Sequence, residues 1–252
     1  MPRGSFYDIG DGGPLRVELQ SVDGRDFTML RPFAYRSADF AEPWVIPDDL
    51  ATFSTDLASV PKIFTWLVPR AGIFTPAALL HDAHVGGHYR GPRIERIESD
   101  QIFREAMIVL GTGRVRAWMM WAAVVMATMW TSRRWGWRLP LVGVLATIGT
   151  LGTLSTLDLL GVTSLLPWLG QQHLWTDLLI GAGAAIVIPA LLSLTWGRLW
   201  AAGAITGIAF AFLLHVTVLL AVLTALYLLA ERLVSGPRAA REGRAPASPP
   251  AH

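Results

Sequence analysis

Apolar and polar positions first alternate with period two, then shift to helical spacing, and finally become almost uniformly apolar. Leu15, Val17 and Leu19 alternate with Arg16, Glu18 and Gln20, which predicts a half-buried strand over 15–20. Asp23-Gly24 is a strong turn signal, and 27–35 reads as the returning strand. Trp44 to Ile46 is a third short β run, closed by Pro47. Residues 1–14 are rich in Gly and Asp and read as a loose arm. Pro61 suits the first turn of a helix continuing over 63–68, because its missing N–H is not needed there. Pro76 opens a second helix that carries His81 and Asp82 and stops near Gly86-Gly87. Ile102, Phe103, Met107 and Leu110 recur at helical spacing and predict an amphipathic helix over 98–110. The expected fold is α+β, a small antiparallel sheet followed by helices, over 15–136.

Ala117 to Ser132 is 16 residues without formal charge. At about 1.5 Å per residue it reaches ~24 Å, short of a bilayer core of about 30 Å. Its Trp- and Met-rich apolar character fits a helix lying at a membrane surface. Beyond it, 139–160, 174–196 and 199–229 each meet the length rule for a spanning helix, so an all-α module of three transmembrane helices is expected over 137–230. The Ala-, Pro- and Arg-rich stretch 231–252 reads as a disordered tail. The lipid bilayer is thus an expected partner. A further protein partner stays open.

Charge sharpens this division. Of 19 acidic and 21 basic residues, 15 and 16 precede Leu139, leaving that part nearly balanced. A balanced domain gives no basic face, so no nucleic-acid partner is expected. With no Cys in the chain, disulfides, thiolate nucleophiles and Cys-based zinc sites are excluded. Met1 to Asp26 holds no apolar h-region, so no secretory leader is expected. The stretch 161–173 has no Lys or Arg and reads as extracytoplasmic. Arg133, Arg134, Arg138 and Arg198 would then be cytoplasmic together with the α+β domain. Three spans put the arginines of the tail on the opposite side, so the rule favours this orientation only by a small margin. An integral protein of a bacterial plasma membrane is expected.

Candidate chemistry gathers in two strings. Asp56 and Ser59 lie where a strand turns into a helix, and there both residue types cap free N–H groups. Asp56 has a second reading, as a carboxylate facing His81 or a metal ion. His81 and Asp82 follow an apolar run, where they need partners to be buried. His84 lies three residues on and shares the face of His81. Asp100 sits near the start of the next predicted helix, where free N–H groups favour an acid. His81, Asp82, Asp56 and Ser59 are the candidate catalytic residues. His81, Asp56, Asp100 and His84 are the candidate ligands of a divalent metal ion, although there is no His-Glu-x-x-His pattern.

These strings resemble a known family. Phe53, Thr55, Asp56, Ala58, Ser59 and Pro61, then Pro76, Ala77, Ala78, Leu80, His81 and Asp82, then Asp100, Phe103, Glu105, Ala106 and Met107 are similar to the phage-associated domain of unknown function 1353. The resemblance covers roughly 27–136 and implies that 117–132 is the closing helix of the domain. It implies a phage or prophage origin and brings no assigned reaction. Val85 stands where that family usually carries Tyr.

Two functions fit. In one, a membrane-tethered hydrolase-like domain brings Asp56, His81, Asp82 and Asp100 to one cleft, holding a metal or dividing acid and base roles. In the other, the chain is a non-catalytic interaction module whose polar motif is an internal hydrogen-bond network. A holin-like or transporter-like role rests on the spans alone, and their lack of charge counts against it.

Overall fold

Pro32 divides what the sequence presents as one returning strand. It brings no N–H to a ladder, and the run around it becomes two strands in two different sheets. In the computed structural model, residues 4–10, 12–21, 26–57, 71–133, 135–166 and 173–235 are described. The strands are β1 (Gly4–Asp8), β2 (Leu19–Ser21), β3 (Phe27–Met29), β4 (Phe33–Ser37), β5 (Trp44–Ile46) and β6 (Ser54–Thr55). One antiparallel sheet runs β1-β4-β5, with Phe6 opposite Tyr35 and Phe33 opposite Ile46. The other runs β2-β3-β6, with Leu19 opposite Met29 and Phe27 opposite Thr55. The expected loose arm is therefore corrected in part, since Gly4–Asp8 forms an edge strand on β4. Five residues in a Gly- and Asp-rich context leave too short an alternation to be read.

Helices follow: α1 (Thr75–Gly86), α2 (Arg96–Val109), α3 (Arg114–Thr131), α4 (Trp135–Leu159), α5 (Leu174–Ser193) and α6 (Trp200–Ser235). The helix expected over 63–68 lies outside the described residues. Pro76 sits in the first turn of α1, and Gly87 closes it in the left-handed conformation at φ 77°. Glu95 and Glu98 form a reciprocal capping box at the start of α2.

The β1-β4-β5 sheet and the first three helices share one core. Phe33 and Tyr35 of β4, Trp44 and Ile46 of β5, Leu80 of α1, Met107 of α2 and Met120 of α3 all pack into it. Burying each large apolar side chain stabilises the fold by roughly 1.5–3 kcal/mol. The loop after α1 is pinned to β5 rather than free. Val45 and Arg90 exchange both backbone hydrogen bonds, at 2.9 and 3.0 Å, and the Trp44 indole donates to the Pro92 carbonyl at 2.9 Å. Helix α3 also serves a second core, in which Trp121, Val125 and Met129 meet Leu141, Val144 and Ile148 of α4. Arg104 of α2 lies over the rings of Trp118 and Trp121, at 4.3 and 4.7 Å from their centroids.

Among the described residues two stretches, not three, are long and apolar enough to cross a membrane: Trp135–Leu159 and Trp175–Val216. The break expected between 174–196 and 199–229 falls at a kink rather than at a long connection. Leu194–Leu199 leaves α5 as a 3-10 segment, and the non-helical backbone of Gly197 (φ 57°, ψ −121°) kinks the path before α6 begins. The chain divides into two units, 1–212 and 213–252, with the boundary inside α6. The tail expected over 231–252 lies largely outside the described residues.

Candidate functional site

The regular turn of α1 sends its polar residues to different neighbours. His81 faces α2, where its Nε2–H donates to Asp100 Oδ1 at 2.8 Å. Its ring also packs on Phe103, with centroids 5.1 Å apart. Asp100 is fully enclosed. Helix α2 begins at Arg96, so Asp100 belongs to its second turn and to the face that meets α1. The role expected for it at a helix start is thereby corrected.

His84 also faces α2, one turn further on. Ser99 Oγ is 3.4 Å from its Nδ1. The rings of Trp44 and Tyr89 meet it edge-on, with centroids 5.2 and 4.9 Å away. Burial, and then the nearby charge of His81, hold its pKa down at about 3. The ring is neutral at any ordinary pH, an enclosed aromatic rather than an open ligand.

Asp82 points to the sheet side. Thr55 Oγ1 donates to its Oδ2 at 2.7 Å and accepts the Leu57 N–H at 2.9 Å. Leu57 sits at φ 71°, a region that costs a non-glycine residue on the order of 1–3 kcal/mol. The turn leaving β6 is therefore held by Thr55 against a local penalty. Burial pushes the Asp82 carboxyl up to about 6; the Thr55 hydrogen bond and the His81 charge pull it down, and the Asp56 charge pushes it up. An open groove runs above it, lined by Asp26, Ser54, Thr55, Asp56, Asp82, Val85 and Gly86.

The expected residues thus fall into two places. His81 and Asp100 form a buried polar seam between α1 and α2, with the half-buried His84 beside it. Asp82 and Asp56 line the groove. Ser59 lies outside the described residues. Among the described residues no three His, Asp or Glu side chains gather as they would to hold a metal ion, so the expected ligand set is split across α1. Thr55 is the residue that sequence reasoning passed over. It lies 27 positions from its partner Asp82, and only the fold brings a strand end to a helix at that distance.

The fold and this polar arrangement define an α+β domain built around a His-Asp helix, followed by long apolar helices. Residues 27–124 match the model of a family described as "Protein of unknown function (DUF1353)", which supports the resemblance drawn from the motifs. The match runs from β3 into α3 and covers less than half of the chain. No curated protein and no solved structure matches this chain.

Proposed function

We propose that the chain is a membrane-tethered hydrolase of acid–base type, with Asp82 as the proton-transferring group. The observation that carries this is the Thr55–Asp82 hydrogen bond at the floor of an open groove shared with Asp56. A carboxyl with a pKa of about 6 exchanges protons near neutral pH. As a base it takes a proton from water, the hydroxide attacks the substrate, and the proton passes to the leaving group. Thr55 fixes the carboxyl's rotamer, and Asp56 supplies the second carboxylate. His81, held by Asp100, is a positioning residue behind α1.

The tether rests on the two long apolar stretches. Only 17% and 11% of their most apolar windows are buried, which argues against their being the core helices of a water-soluble domain. The α+β domain would lie on the cytoplasmic side, with Arg133 and Arg138 at the inner surface.

A second reading has its own support. Enclosure of Asp100 against His81 is what an internal hydrogen-bond network requires, and such a network needs no substrate. The deciding experiment assays the full chain in detergent against chromogenic esters, phosphodiesters, glycosides and peptides, beside Asp82→Asn. Turnover that rises through a midpoint near 6 and vanishes in a folded Asp82→Asn variant establishes the acid–base role. Wild-type turnover no greater than that of the variant leaves the scaffold reading.

A further inference from the structure

Between Glu105 and Asp158 the chain holds five arginines, at 114, 116, 133, 134 and 138, and no acidic residue. Arg133 and Arg138 flank the corner where α3 ends and α4 begins. Ser132 closes α3 and Trp135 opens α4. Large apolar side chains stand out at this corner: Trp130 is 61% exposed, Trp135 70% and Leu139 63%. Arg133 is exposed, and the Arg138 guanidinium lies 6.0 Å from the centre of the Trp135 ring. The corner is firmly backed, because Val125 and Met129 of α3 and Leu141 and Val144 of α4 bury against one another.

Such a combination has a specific physical fit. Exposed Trp costs free energy in water and is favoured at the boundary between lipid tails and headgroups. Guanidinium groups bind phosphate oxygens in a fixed, two-pronged geometry. The far end of α4 contrasts with this, since the sequence over 161–173 has no Lys or Arg. Only one end of the helix is complementary to negative charge.

We propose that the α3–α4 corner is a binding surface for anionic phospholipid headgroups, with Arg133 and Arg138 engaging phosphate and Trp130 and Trp135 seated at the interface. This rests on α4 spanning the bilayer and goes further, because it specifies the lipid charge that the protein meets. It also ties the α+β domain to that leaflet, since α3 contributes Ala117 and Met120 to the domain core and Val125 and Met129 to the core shared with α4.

The test uses the full chain in nanodiscs of mixed phosphatidylcholine and phosphatidylglycerol, extracted into minimal detergent, with retained lipid measured by mass spectrometry. Wild type retains phosphatidylglycerol above its bulk share. Each arginine near an anionic surface accounts for about a fivefold preference, so Arg133→Gln lowers the enrichment about fivefold and the Arg133→Gln/Arg138→Gln pair about thirtyfold. The corresponding lysine variants retain most of it. Arg133→Gln alters an exposed side chain, so the test survives if the double variant fails to fold. Absence of enrichment in wild type, or equal enrichment in Arg133→Gln, overturns the headgroup surface. Vesicle flotation after alkaline extraction separates the two levels: a chain that floats without enrichment loses only this inference. A chain that does not float overturns the membrane reading as well.

Discussion

The imidazole Nε2–H of His81 donates to Asp100 Oδ1 at 2.8 Å and joins α1 to α2 where Asp100 has no contact with solvent. Removing one member strands the other in an apolar seam beside Phe103. Breaking such a pair costs about 3–5 kcal/mol, because the remaining polar group keeps its desolvation penalty. Asp100→Ala is therefore expected to lower stability by that amount. Asp100→Asn keeps an acceptor and loses only about 1–2 kcal/mol. Denaturant unfolding of the detergent-solubilised chain measures both. A loss below about 1 kcal/mol in Asp100→Ala would remove the pair from the scaffold.

His84 and Asp82 give stability opposite dependences on pH. His84 has its pKa depressed from 6.5 to about 3, so between those values the unfolded chain binds the extra proton. Its contribution is whole above 6.5 and is lost as pH falls. Asp82 has its pKa raised from 3.8 to about 6, so between those values the folded chain holds the extra proton. Its contribution is whole below 3.8 and is lost as pH rises. Each slope approaches about 1.4 kcal/mol per pH unit, and where the windows overlap the two offset. From the two groups alone, stability is nearly flat between pH 4 and 6. Relative to wild type, His84→Phe makes stability fall more steeply with rising pH across that window, and Asp82→Asn makes it rise. Thermal unfolding at several pH values shows both tilts. The same tilt in both variants would refute the assignment.

Thr55 and Asp56 move Asp82 in opposite directions. The Thr55 hydrogen bond favours the carboxylate, whereas the Asp56 charge disfavours it. Thr55→Val is expected to raise the Asp82 midpoint above its value of about 6, and Asp56→Asn to lower it. Carboxyl carbon chemical shifts followed by pH titration report each midpoint. Thr55→Val also leaves the Leu57 N–H without its acceptor, costing about 1–3 kcal/mol. If both variants shift the midpoint the same way, the groove residues act through a rearrangement rather than through the bond and charge named.

How much of this was legible in the sequence depends on how local the determining physics is. Pro76 and Gly87 bound α1 by their own backbone preferences, and Trp44–Ile46 declares itself by β-branched and aromatic character. The acid–imidazole motif was visible, but its division was not. His81 and Asp82 are neighbours in sequence, yet about 100° apart around the helix, so one turns to α2 and the other to β6. Pro32 is readable as a ladder breaker in hindsight, but assignment of its two flanks to separate sheets depends on partners far along the chain. The break between the second and third apolar stretches was legible, because Gly197 takes a non-helical backbone (φ 57°, ψ −121°) between Trp196 and Arg198.

Gly207 sits at a close helix approach in the apolar part of the first unit. A Cβ there would lie 2.8 Å from Pro189 Cβ and 3.0 Å from Ile148 Cδ1, so α6 sits against α5 and α4 with no room for a side chain. Pro189 Cβ belongs to a rigid ring that cannot give way, and Ile148 Cδ1, though a side-chain end, belongs to a residue buried in the core of α3 and α4. Close approach of this kind is how helices associate where lipid removes the hydrophobic drive between them. Gly207→Val is expected to cost about 1–3 kcal/mol by overpacking, seen as a lower unfolding temperature in detergent. A cysteine pair placed across α4 and α6 should also cross-link less readily in that variant. Gly183 has nothing within 4 Å of its Cβ position, so Gly183→Val in the neighbouring α5 serves as the control. Equal effects of the two substitutions would show that glycine flexibility, rather than helix contact, sets the outcome.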